Sequence, residues 1–212
     1  MNTKAKIKTK YFIPPLTKES VVISGGGFLG EWDYYIYKTF DCSIYIAEPF
    51  PGNYIKLKRL FGGAKKVKVF PIAFFNKDDE VDFHLIGKNN GHSLYDRSHD
   101  RKVVEVISVE AMRLKTFMLQ EKISKVDLLK LNVEGAEVEI LQDLDEATAC
   151  RIKHICFSSH ERKITTSEMH KATLRHLIKI GYKVKPYSPI EWVAPDGYFG
   201  RWVCTYEDSV SS

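Results

Sequence analysis

A chain of 212 residues, 44% of them hydrophobic, is long enough to bury a sizeable core and short enough for one globular domain. A formal net charge of +5 is mildly basic, which tolerates an anionic ligand or an acidic partner without indicating nucleic acid. No signal peptide is visible, no apolar run nears the roughly 20 residues of a membrane span, and Cys42, Cys150, Cys156 and Cys204 form no Cys-x-x-Cys pair, so the cysteines are expected to be reduced thiols of a cytoplasmic protein.

Residues 1–20 read as an N-terminal arm, carrying Lys4, Lys6, Lys8 and Lys10 and ending near Pro14-Pro15, with a single domain over 21–212. The β-branched run Val21-Val22-Ile23 predicts a buried strand that enters the turn Ser24-Gly25-Gly26-Gly27-Phe28-Leu29-Gly30. A helix follows, with Trp32, Tyr35, Ile36 and Phe40 on one face. Strand, glycine turn and helix together let backbone N–H groups approach a ligand, because glycine has no Cβ to block it.

Ser43 to Ala47 predicts a second strand, tipped by Glu48. An acidic residue there, about 20 residues after a glycine turn, is where nucleotide-binding α/β folds accept hydrogen bonds from ribose hydroxyls. Pro51 starts the next helix, whose buried stripe is read as Tyr54, Leu57, Leu60 and Phe61. Lys56, Lys58, Arg59, Lys65, Lys66 and Lys68 follow without an intervening acid and read as a solvated face.

A third strand ends at Phe70, before Pro71-Ile72-Ala73-Phe74. Val81, Phe83 and Leu85 alternate with polar residues, and Lys102 to Val109 is strand-like, so residues 80–109 are expected to form an antiparallel excursion. Between them Gly87 to Tyr95, with Lys88, Asn89 and Asn90, is a polar loop of the kind that carries substrate contacts. Glu110 to Lys122 predicts a helix.

Val126 to Leu131 reads as a central strand. It turns at Asn132-Val133-Glu134-Gly135 into a helix with Ala136, Ile140, Leu141 and Leu144 on its apolar face. A polar, acidic turn at the carboxyl end of a central strand is where open α/β sheets place their chemistry. Ile152 to Phe157 predicts another strand, ending in Ser158-Ser159-His160-Glu161. Thr165 with Glu168 forms a capping box for a helix that buries Leu174, Leu177 and Ile178 and stops at Gly181. Tyr182 to Tyr187 and Phe199 to Tyr206 are two last strands, joined through a link around Pro189, Pro195 and Gly197. His154, Cys156 and His160 crowd one stretch, but no second ligand cluster accompanies them and no metal is expected.

This order of elements is that of a Rossmann-like class I methyltransferase: α/β, with a mostly parallel seven-stranded sheet and an antiparallel last strand. The runs IAEPFPGNYIKLKRL (46–60), PIAFFNKDDEVDFHL (71–85), GHSLY (91–95) and KVDLLKLNVEGAEVEIL (125–141), with His160 after a strand, make the chain similar to the FkbM family of methyltransferases. The resemblance implies S-adenosylmethionine as cofactor, held by Ser24, Gly25, Gly26, Gly30, Glu48 and Ala73. It implies a catalytic set of His160, Glu134, Glu137 and Asn132, acting on a hydroxyl of a sugar or other small molecule. His160 is the candidate base, expected to face one cavity with Glu134 and Asn132.

The chain departs from the family pattern where Ser24 and Asn132 replace Asp, Phe28 replaces Asn and Ser158 replaces Glu. Three carboxylates are missing. Two further readings follow: a methyltransferase scaffold kept as a binding module, favoured by those losses, and an RNA methyltransferase, which the basic stretch permits but no recognisable RNA-binding appendage supports.

Overall fold

The computed structural model describes residues 11–87, 91–96, 98, 102–160, 165–187, 192–194 and 197–207, the backbone alone for 192–194 and 197–200. The four lysines of the arm, Lys88, Asn89, Asn90, Glu161, Pro189 and Pro195 lie outside the described residues.

Strands β1 (Val21–Gly25), β2 (Ser43–Ala47), β3 (Val67–Phe70), β7 (Leu128–Leu131) and β8 (His154–His160) run parallel in the order β3-β2-β1-β7-β8. β11 (Gly197–Tyr206) pairs antiparallel with β8. Its far edge is shared by β10 (Trp192–Ala194) and β9 (Tyr182–Pro186). Eight strands therefore fill seven positions, and the expected mostly parallel sheet with an antiparallel last strand is present.

The excursion is a second sheet. Its central strand β6 (Val103–Met112) pairs antiparallel with β5 (Asp79–Ile86) and parallel with β4 (Ile72–Phe74). β6 continues through Met112, so helix α3 starts only at Leu114 (Leu114–Gln120). The predicted start at Glu110 fails because Glu110 to Met112 are still paired to β4.

The period of two along each strand divides the core. Val22, Ile44, Ile46 and Leu128 pack under α1 (Glu31–Phe40) and α2 (Pro51–Leu60). Ile23, Leu129, Leu131, Ile155 and Phe157 pack with residues of α3, α4 (Glu137–Gln142), α5 (Glu146–Ala149) and α6 (Ser167–Lys179) on the other face. Two predicted core residues are exposed instead. Leu60 stands outside a stripe that α2 limits to Asn53 and Leu57, and Ile178 follows Leu177, whose neighbour on a helix cannot share its buried face. The cap of α6 is Thr166, whose hydroxyl accepts from the Met169 N–H; Thr165 instead donates to the carbonyl of His160. Tyr11 to Ser20 is packed at its start: Tyr11, Phe12 and Ile13 lie against the α1 face and Leu16 is buried.

Candidate active site

The strand order reverses between β1 and β7, so the loops leaving their carboxyl ends diverge and leave a cleft. One is the glycine turn. The N–H groups of Gly26 and Gly27 both donate to the Ala47 carbonyl, at 3.0 and 3.3 Å, folding the turn over the tip of β2. Gly26 has φ of 77°, and a Cβ there would lie 2.1 Å from the Asn132 carbonyl oxygen, so no other residue fits. The other loop is tied to the first through the Asn132 N–H, which donates to the Gly25 carbonyl at 3.1 Å.

Between them lies a cavity of about 210 Å³. Gly26, Phe28, Glu48, Asn132 and Glu134 line it, and Ala73, Phe74, Phe83 and Leu94 make its apolar wall. Ser24, Gly25 and Gly30 do not reach it. Ser24 and Gly25 are inside β1, with Ser24 fully buried; Gly30 caps α1 and packs against Leu57, Leu60 and Phe61.

Glu48 is the best-held group in the cleft. Its two carboxyl oxygens accept from the Phe28 N–H at 2.7 Å and the Phe50 N–H at 3.0 Å. Burial nevertheless pushes its pKa up from 4.5 to about 7, against the opposing pull of those two donors and of Lys130. Each oxygen keeps a second lone pair for a ligand hydroxyl.

The acidic turn is built from below. Glu137 is buried, and its carboxylate accepts from the Val133 N–H at 2.9 Å and the Gly135 N–H at 2.8 Å. These bonds brace Glu134 between them at a φ of 56°, left-handed for a residue with a Cβ. The same carboxylate meets His160 Nδ1 at 2.9 Å. Burial acts to raise the Glu137 pKa, but the His160 charge and hydrogen bond, with the backbone donors, hold it below the ordinary carboxylate range. An ionised carboxylate can only accept, so His160 Nδ1 carries a proton, and Nε2 decides the charge of the ring.

Nε2 lies 3.5 Å from Glu134 Oε1. The three side chains thus form a line from the core, Glu137, through His160, to Glu134 at the cleft. The expectation that His160 and Glu134 share one cavity is corrected in part. They are adjacent, but only Glu134 and Asn132 line the cleft, whereas His160 and Glu137 border a small void of about 10 Å³ beneath the turn.

Several residues at this site escaped the sequence reading. Asn53 lines the cleft, and so does His92, which lies in the loop read as carrying substrate contacts but was not itself singled out. His92 Nδ1 accepts from the Ile86 N–H at 2.8 Å, and its ring sits 4.6 Å from that of Phe50. Lys130 and Asp33 are buried behind the glycine turn. A lysine inside the apolar strand Leu128-Leu129-Lys130-Leu131, and an acid on the face of a helix that also carries Ile36, were the available signals.

Comparison with known proteins agrees with this geometry. The methyltransferase FkbM domain model matches residues 23–184. A protein named Methyltransferase 1 from Beauveria bassiana (strain ARSEF 2860) is 24% identical over 207 residues, covering 88% of this chain and 81% of that one. Among solved structures, the Methanococcus jannaschii fibrillarin pre-rRNA processing protein superposes with a TM-score of 0.55 at 15% identity, over 93% of this chain and 70% of that one. Aeropyrum pernix fibrillarin with natively bound S-adenosyl-L-methionine superposes with a TM-score of 0.53 at 14% identity, over 90% of this chain and 68% of that one. At such identities these two show the fold alone. With a family model over most of its length, the chain belongs to the FkbM family of methyltransferases.

Proposed function

We propose that this methyltransferase uses S-adenosylmethionine to methylate a hydroxyl of a sugar or other small molecule. The observation that carries the reading is the pairing of two devices at one cleft: a glycine turn with Glu48 on one side, and Glu134 on the other, backed beneath the turn by His160 and Glu137.

The residues present fit the nucleoside half of that cofactor. Gly26 lines the cleft beside Glu48, which offers a carboxylate to a ribose diol. The methionine end is less well provided, because Ser24 is buried away from the cleft and Phe28 brings no polar side-chain atom. When bound, the sulfonium supplies an already activated methyl group.

The protein's own contribution is then positioning, exclusion of water and removal of the acceptor's proton. Phe28, Phe74, Phe83 and Leu94 make the cleft apolar. Asn132 and Glu134 are the polar groups placed to orient an acceptor hydroxyl. Its proton passes through the Glu134 carboxylate, which lines the cleft, to His160 Nε2, while Glu137 stabilises the imidazolium that forms.

Titrating S-adenosylmethionine and S-adenosylhomocysteine into the purified protein tests the cofactor. Saturable binding of both at micromolar to submillimolar concentration is expected, because the adenosine half supplies most contacts. No heat and no thermal shift with either, up to millimolar concentration, would move the assignment to a non-catalytic scaffold.

A further inference from the structure

On the Glu48 side of the cleft one polar side chain has no structural use. Asn53 stands in the first turn of α2, after the N-cap Phe50, Pro51 and Gly52, and is only 3% exposed. It lines the cleft together with Glu48. Its backbone N–H donates to the Phe50 carbonyl at 3.0 Å and so belongs to the helix end. Its side-chain amide forms no hydrogen bond among the described residues.

A long polar side chain at this position of a helix can reach back to the N–H of the N-cap. Here that N–H is taken, because the Phe50 N–H donates to Glu48 Oε1 at 3.0 Å. The helix end therefore leaves the Asn53 amide no cap to make. A buried amide without a partner forfeits its hydration, and native proteins leave few in that state. Neither atom of this amide is among the unpartnered ones sealed from solvent, and the open space beside Asn53 is the cleft.

The chemistry of the amide says what would pair it. An ionised Glu48 only accepts, which suits hydroxyls. The amide holds a donor and an acceptor side by side in one plane. Its match is a planar group with an amino donor next to a ring-nitrogen acceptor, whose faces suit the apolar wall of Ile72, Ala73 and Phe74. The amino group and N7 of adenine are such a pair, and an asparagine amide can bond both at once.

We propose that Asn53 is a specificity-determining residue that reads the amino group and N7 of an adenine base, while Glu48, tied to the N-cap of the same helix, takes the ribose. The amide oxygen accepts from the amino group and the amide N–H donates to N7. Hypoxanthine carries a carbonyl in place of the amino group, so that edge presents two acceptors and one of the two bonds is not made. The inference rests on the cofactor reading above and adds which base the site selects.

The test measures Kd by calorimetry on the full chain for S-adenosylhomocysteine and for its deaminated analogue, S-inosylhomocysteine. The parent should bind the analogue at least tenfold more weakly. Asn53→Leu, close in size and without polar atoms, should weaken S-adenosylhomocysteine at least tenfold and change the analogue less than threefold, so that the preference disappears. Asn53→Ala gives the same comparison should the leucine variant not fold. A merely structural role would weaken both ligands alike and keep their ratio. A preference that survives in the variants, or a parent that binds both ligands equally, overturns the assignment of Asn53 and leaves the cofactor reading standing. A parent that binds neither ligand removes the cofactor reading and this inference with it.

Discussion

Glu48 shows how one side chain carries both a cost and a function. Its folded pKa, near 7, lies above the ordinary 4.5, so the folded state holds the proton more tightly than the unfolded one. The stabilisation this brings is complete below about pH 4.5 and is lost as pH rises through about 7, on the order of 3 kcal/mol in all. A ribose diol prefers the ionised acceptor, so nucleoside affinity should rise over the same window. The charged groups acting on Glu48 are Lys130, which opposes the shift, and Asp33, which adds to it. Glu48→Gln is expected to weaken S-adenosylhomocysteine binding about tenfold or more, as loss of one or two charge-assisted hydrogen bonds implies, and to flatten its pH dependence. Calorimetry between pH 5.5 and 8.5 reads both, and an unchanged Kd would remove Glu48 from the ribose site.

Turns and caps set where these side chains can point. Phe28 occupies a φ of 51° and is 42% exposed, so its ring gains little from burial while its backbone sits in the left-handed region. That conformation costs an ordinary residue roughly 1–2 kcal/mol and asparagine less. Phe28→Asn should therefore raise unfolding free energy by about 0.5–1 kcal/mol. Its N–H remains available to Glu48. Denaturant titration checks this, and a loss of stability would mean that the ring packs better than its exposure suggests. At α6 the two adjacent threonines separate cleanly. Thr166→Ala should cost about 1 kcal/mol through the lost cap, with no effect on methyl transfer. Thr165 contacts the His160 carbonyl, so Thr165→Ala should also lower turnover. Equal turnover in the two variants would deny Thr165 any part in placing His160.

The two sheets meet at the acidic turn through Ser93, which is fully buried. Its hydroxyl donates to the Glu134 carbonyl at 2.9 Å and accepts from the Tyr95 N–H at 3.1 Å. Tyr95 in turn packs over Gly135, where an added Cβ would come within 3.2 Å of its ring. The loop after β5 is thereby latched to the loop after β7, two segments 41 residues apart in the chain. Ser93→Ala leaves both partners without this hydroxyl and should lower stability by about 1–3 kcal/mol. Methyl transfer should fall while S-adenosylhomocysteine affinity, set at the Glu48 side, changes less than threefold. A parallel loss of both would show instead that the second sheet supports the whole cleft. Among the described residues no helix is long and apolar enough to cross a membrane.

Local pattern was enough for the layers. The alternation of β-branched strands with helical stripes, the glycine turn and the acid about 20 residues later are short-range signals, and they place the cleft, Glu48, Asn132 and Glu134 without coordinates. The sequence also named Glu137 and His160, because their spacing and resemblance mark them. It could not say that Glu137 lies under the turn with its carboxylate shared between two backbone N–H groups and an imidazole, since that depends on where β8 ends beside β7. Nor could it bring the Lys130 ammonium to the Gly25 and Gly26 carbonyls of the glycine turn. Lys130 and that turn are far apart in the chain and meet only because parallel register sets Lys130 beside Ser24. Periodicity records which face of an element is apolar, whereas the partner of a buried charge is chosen by the packing of elements that the chain separates.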